Sequence, residues 1–338
     1  MRRNRSEPGV WRGRRRIRAP GWLAWVGAGA AVAPPAVASA QDLVPSQECC
    51  LPLLFPIGAR TLALGDAVTA RSDPGALFAN PAVLAGIESD QFIVHTASTE
   101  LERSNTFSLL IRSEVAGTFG LSYRLLDHGE QTATDPSGNP IGTLSVVEQV
   151  LTASYATRVV AGLSAGVNYK LYQLRQDCRG FCGIEPFAAT THGIDAGLQY
   201  RPIPVLEVGA SLLHFGFPLQ VVNAEQASPL PTRYRVGAAY EVLHHVEAGT
   251  AAEFWLLADV VGGFRDGGSP ITHVGAELAI DRSIFLWSGW SGGTGLFAGG
   301  AVGVGLRYSR FDVAVAKSFV ATVVGGQEPF QVSFGLRF

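Results

Sequence analysis

Four cysteines and a handful of histidines are the residues of this chain best suited to chemistry. Cys49 and Cys50 are adjacent, and Cys178 and Cys182 bracket Arg179-Gly180-Phe181. In an oxidising compartment the Cys178/Cys182 pair can close a small loop disulfide. Four cysteines allow three connectivities, so crosswise pairing and unpaired thiols stay open at this point. The spacing is not that of paired CxxC ligands, and His192 is the one histidine near Cys178 and Cys182, so no metal site is expected. His244 and His245 are adjacent and would point to opposite faces of a strand, which prevents shared ligation; a solvated turn is the simpler expectation. No GxSxG elbow, Walker loop or HExxH motif occurs. The chain therefore reads as non-enzymatic, with no cofactor.

The elements that carry these residues have a period of two. Phe330, Val332, Phe334, Leu336 and Phe338 alternate with Gln331, Ser333, Gly335 and Arg337. The same alternation runs through Leu163 to Leu171, Ile194 to Arg201, Tyr234 to Glu241 and Phe119 to Leu125. One face is apolar; the other carries Gly, Ser and charges. Candidate strands start near residues 91, 104, 116, 147, 162, 192, 204, 232, 252, 271, 283, 300, 311 and 329. Short connections such as 201–204 and 309–310 alternate with longer ones over 129–146, 176–191, 216–231, 262–270 and 320–328. That rhythm suits a membrane barrel with short turns on one side and long loops on the other.

Composition agrees. Of the 338 residues 47% are hydrophobic and only 16% charged, with 40 glycines. A soluble domain usually has about 25% charged residues, and a disordered chain is far less apolar. Eight of the 26 basic residues fall in the first 20 positions, beside the single acid Glu7. The remainder holds 18 basic and 27 acidic residues, a net charge of about −9, which argues against nucleic acid as a partner.

The arginine-rich start, the apolar run from Gly21 to Ala33 and Ala38-Ser39-Ala40 form a secretory signal over residues 1–40. Pro34-Pro35 ends the apolar run at about 13 residues, short of the ~20 that span a bilayer. Ser283 to Leu306 lacks charge for 24 residues but contains eight glycines, so two strands fit better than a membrane helix. Tyr200, Tyr240 and Tyr308 recur at strand ends like an interfacial girdle, and the alternating final strand stops on Phe338. The expected fold is an all-β transmembrane antiparallel barrel of about fourteen strands over residues 91–338. A soluble all-β binding protein is the rival.

On such strands Arg112, Arg124, Lys170, Arg235, Arg307 and Arg337 would share the lumen with Asp195, Glu207, Glu241, Glu253, Glu277 and Asp312. On lipid, a mid-depth Arg or Lys would cost about 2–4 kcal/mol. Lys317 falls on the apolar register and belongs near an interface, where its stem can snorkel.

Residues 41–90 break the period-two pattern. Over 58–86 the chain reads GARTLALGDAVTARSDPGALFANPAVLAG, small-residue-rich and then a turn, a short helix and a second break. This stretch resembles the N-terminal signature of the PorV/PorQ family, relatives of FadL-type outer-membrane transporters. Tyr123 to Gly129 and YATRVVAGLSAGVNYKLYQ (155–173) extend the likeness. The motif residues are Gly58, Ala59, Arg60, Gly65, Asp66, Asn80, Pro81 and Ala82, with Asp66 standing where the family often has a small residue. The resemblance implies a fourteen-stranded outer-membrane barrel with residues 41–90 folded into the lumen as a small, partly helical hatch. It implies, as the main reading, an accessory of type IX-like secretion that docks secreted proteins or secretion-system subunits, and, as the alternative, a channel for apolar ligands. Outer-membrane lipid is the expected surrounding in either.

Overall fold

A computed structural model describes residues 48–98, 103–183, 185–221, 225, 227–247, 249–264, 269–293, 298–320 and 328–338. The expected signal sequence and residues 41–47 lie outside the described residues. Fourteen strands form one closed antiparallel sheet, each paired with its neighbours in sequence and β1 paired with β14. The first seven are β1 (Gln91–Ser98), β2 (Arg103–Ser113), β3 (Gly117–Thr134), β4 (Pro140–Val160), β5 (Leu163–Gly180), β6 (Phe187–Ile203) and β7 (Leu206–Gly216). The rest are β8 (Arg233–Glu247), β9 (Thr250–Gly263), β10 (Ile271–Ile280), β11 (Ile284–Ser291), β12 (Gly299–Tyr308), β13 (Phe311–Val320) and β14 (Phe330–Arg337).

Closure decides between the two all-β expectations. A sandwich would hide its apolar faces between two sheets. Here they point outward: Leu121 is 52% exposed, Leu198 52% and Leu306 57%, and Phe107, Val236, Leu256 and Val313 are likewise uncovered. A continuous apolar belt of this kind calls for an apolar medium. Tyr200, Tyr240 and Tyr308 all lie on the outer face. Lys317 also faces out, half-exposed, next to the long loop after β13, and pairs with Glu328 at 2.8 Å. Ser283 to Leu306 divides between β11 and β12.

Two expected loops turn out to be mostly strand. β3 and β4 pair as far as Thr134↔Pro140, and β4 and β5 as far as Gly142↔Gly180, so 129–146 holds only a short turn. β6 likewise begins at Phe187, inside the expected loop 176–191. These strands, 17 to 21 residues long, outrun the ~9–11 needed to cross a bilayer. Beyond the membrane no lipid demands an apolar face, so the alternation fades while backbone pairing continues. His244 and His245 likewise lie within β8, beside Glu241 and Glu247 respectively, and not in a turn.

The described part of the pre-barrel segment, from Glu48 on, contributes to the buried core. It comprises a 3-10 turn at Leu51–Leu54, a short helix α1 (Ala59–Ala63), and 3-10 turns at Pro74–Phe78 and Pro81–Gly86. The expected single short helix is therefore two tight turns. Each starts with a capping residue and a proline at its first position: Asp73 Oδ1 accepts from Gly75 N at 2.8 Å, and Asn80 Oδ1 from Ala82 N at 3.0 Å. Leu62, Leu64, Val68 and Val83 pack with Trp255, Leu257 and Trp287 of the wall.

Candidate functional site

The hatch is held to the wall by buried charges. Glu277 on β10 accepts from Arg60 Nε at 2.6 Å, from Arg71 Nη2 at 3.4 Å and from Trp287 Nε1 at 2.8 Å. The Arg71 guanidinium also lies 3.6 Å over the Trp255 ring. Burial works against the Arg60 charge, but Glu277 and then Asp73 more than offset it and raise its pKa above the ordinary value. A second clamp centres on Asp259 of β9. Its Oδ2 accepts from Val68 N at 3.0 Å, Thr69 N at 2.9 Å and Arg235 Nη2 at 2.9 Å. Arg235 Nη1 continues to Asp66 at 2.8 Å, so Asp66 is the hatch's partner for a wall cation. Arg124 reaches the Pro52 carbonyl at 2.7 Å, and Arg233 grips Glu48 through both terminal nitrogens.

The other motif residues work by close approach. Asn80, fully buried, donates to the carbonyls of Thr69 and Leu198. A Cβ on Gly197 would fall 2.0 Å from Asn80 Oδ1, and one on Gly166 would fall 2.5 Å from the Pro81 carbonyl carbon. Gly65 needs its positive φ of 62° and leaves no room for a side chain against the Trp290 backbone. Gly58 packs against His95, Ala59 N donates to Ser333 Oγ at 2.8 Å, and Ala82 N is capped by Asn80.

The remaining lumen charges are mostly paired. Lys170 Nζ meets Asp195 at 2.7 Å, Arg282 meets Glu253 at 3.0 Å, and Arg307 and Arg337 share Asp312 at 2.6 and 3.2 Å. Glu207 takes Arg201 and Arg71, and Glu241 takes His244. Arg112 is the exception: it sits at the rim past the lumen, exposed, 4.0 Å from Glu114. The cysteines join as Cys49–Cys50 and Cys178–Cys182, the latter at the β5–β6 connection. No group of His, Cys, Asp and Glu suited to a metal ion occurs among the described residues.

Two cavities flank the hatch. One, about 420 Å³, lies on the long-loop side and is lined by Leu51, Leu53, Leu54, Phe55, Ile57 and Leu62 of the hatch with Leu213, Val261 and Ile271 of the wall. The other, about 510 Å³, lies on the short-turn side and is lined by Arg60, Arg71, Glu207, Glu253, Glu277 and Asp312 among others. Thr61 and Gly75 line both, so the partition is thinnest there. The run Leu51-Pro52-Leu53-Leu54-Phe55 was not singled out by motif reading; its signal was a dense apolar stretch in a segment otherwise built of small residues. His214 and His273, which line the first cavity, carried no sequence signal.

No family model matches the chain, and no curated protein matches it in sequence. Solved structures match the fold. The toluene transporter TbuX of Ralstonia pickettii aligns at 14% identity with a TM-score of 0.55, covering 83% of this chain and 98% of that one. The P. putida toluene transporter TodX aligns at 12% identity and 0.55, covering 83% and 98%. A Pseudomonas aeruginosa FadL homologue aligns at 11% and 0.51, covering 84% and 99%. The chain thus has the FadL-type fourteen-stranded barrel fold.

Proposed function

We propose that this protein sits in the outer membrane and passes small, uncharged, mostly apolar molecules, with the hatch as its barrier. The carrying observation is the apolar cavity of about 420 Å³ stacked on a polar vestibule across a partition at Thr61 and Gly75. A cavity of that size and lining suits a small organic ligand. The cations around it are spent on protein carboxylates, Arg233 on Glu48 and Arg235 on Asp66 and Asp259, so a carboxylate ligand would have to displace one of these pairs. The apolar belt supplies the membrane contact and the transporters TbuX and TodX share the architecture.

These features favour a channel over a secretion accessory, for which docking of exported proteins would need a surface outside the lumen. We assign the chain no catalysis. The test is initial uptake of labelled toluene by porin-deficient Gram-negative cells producing the full chain. The reading requires a rate above that of empty-vector cells; equal rates would overturn it.

A further inference from the structure

The apolar cavity contains two histidine rings whose proton positions are fixed by their neighbours. β7 carries a bulge at one of them: Ile194 pairs with Phe215 and Ala196 with Leu212, so Leu213 and His214 together face Asp195 and both turn inward. His214 has a φ of 57°, and its backbone N–H, displaced from the ladder, donates to Asp195 Oδ1 at 2.8 Å. Asp195 also holds Lys170 at 2.7 Å, and the Lys170 ammonium lies 3.0 Å from His214 Nδ1. An ammonium has no lone pair, so Nδ1 accepts and the ring proton of His214 is on Nε2.

His273 on β10 is the reverse. Its Nδ1 lies 2.8 Å from the Gly65 carbonyl, which only accepts, so Nδ1 carries the proton and the neutral ring keeps a lone pair on Nε2. Both rings are buried, 2% and 7% exposed, and both line the same cavity. Among the described residues neither Nε2 has a hydrogen-bond partner. The lining thus includes one unspent ring donor, from β7, and one unspent ring acceptor, from β10, among Leu, Phe and Ile side chains and the paired charges Asp66, Arg233 and Arg235.

We propose that this cavity is a binding site for a small, uncharged, mostly apolar molecule bearing one hydroxyl group, a phenol or an alcohol, with His214 and His273 as its polar anchors. The proposal deepens the channel reading and rests on it. A hydroxyl both donates and accepts, so it can use either ring. An ether oxygen can use only His214, a hydrocarbon neither.

The experiment compares labelled p-cresol, p-methylanisole and toluene, which share a methylated ring, in porin-deficient Gram-negative cells producing the full chain, corrected for empty-vector cells. The half-saturating concentration of p-cresol should be about fivefold below that of toluene, the worth of one hydrogen bond, with p-methylanisole between. The double variant His214→Phe/His273→Phe should bring the p-cresol value to that of toluene, and His214→Phe alone should do so for p-methylanisole. Heat-modifiable gel mobility shows which variants are folded, and the wild-type comparison stands without either. Equal half-saturation for p-cresol and toluene in the wild type would overturn the anchors while leaving the channel reading standing. So would a p-cresol preference that persists in the folded double variant His214→Phe/His273→Phe. Uptake of none of the three above the vector level would overturn both readings together.

Discussion

Gly289 of β11 and Leu64 of the hatch are in backbone contact: a Cβ on Gly289 would fall 2.1 Å from the Leu64 carbonyl carbon. The same holds around the wall. Gly209 would meet the Thr69 carbonyl oxygen at 2.2 Å, Gly166 the Pro81 carbonyl carbon at 2.5 Å, and Gly275 the Leu64 carbonyl oxygen at 2.8 Å. Inward glycines are the sockets in which the hatch backbone rests.

Gly289→Val should therefore loosen the hatch while the barrel still closes. Overpacking of this kind costs about 1–3 kcal/mol. Limited proteolysis would read the effect as faster cutting within residues 57–86. Gly300→Ala is the control, since its nearest neighbour, the Gly289 carbonyl oxygen, is 4.0 Å away. Equal protease resistance in both variants would refute the socket argument.

The two clamps should differ in weight. Glu277→Ala strands Trp287 Nε1 and leaves Arg60 and Arg71 with their longer contacts, to Asp73 and Glu207 at 3.7 Å each, a buried-charge loss of about 3–5 kcal/mol. Asp66→Ala should be milder, because Arg235 keeps Asp259 at 2.9 Å and Thr69 Oγ1 at 2.9 Å. Urea midpoints in a lipid or detergent environment would rank them, and a larger loss for Asp66→Ala would contradict the assignment.

Charge placed on the belt should cost according to depth. Val304→Arg sits mid-strand between Leu286 and Val315 and should destabilise by about 2–4 kcal/mol, whereas Phe319→Arg, on the same outer face but one residue from the end of β13, should cost about 0–1 kcal/mol. The comparison uses folding equilibria into lipid vesicles; equal penalties would count against a membrane-embedded belt.

Much of this was legible in the sequence, for a physical reason. Lipid on one side and lumen on the other impose a strict period of two, so the alternation from Phe330 to Phe338 announces which side chains face out. The start points of β1, β2, β3, β5, β8 and β10 to β14 followed to within a residue. The extensions of β3 to β6 did not, because nothing outside the bilayer enforces alternation. The charged strand residues indicated which side chains turn inward, but not their partners. Periodicity assigns a face, whereas the meeting of Arg60 with Glu277, 217 residues apart, depends on how the segment threads the lumen. The β7 bulge was equally hidden, since one extra residue leaves no mark in Leu212-Leu213-His214-Phe215.

Tryptophan fluorescence in bilayers of chain-brominated lipid tests most directly whether the belt meets lipid around a closed, filled lumen. Trp290 faces outward at 51% exposure, while Trp255 and Trp287 point inward at 4% and 7%. Bromine quenches by contact, so the wild-type sequence produced without residues 1–40, which hold Trp11, Trp22 and Trp25, should lose a large share of its emission and Trp290→Phe in the same background should lose almost none. Strong quenching that persists in Trp290→Phe, or none in the wild type, would contradict the account.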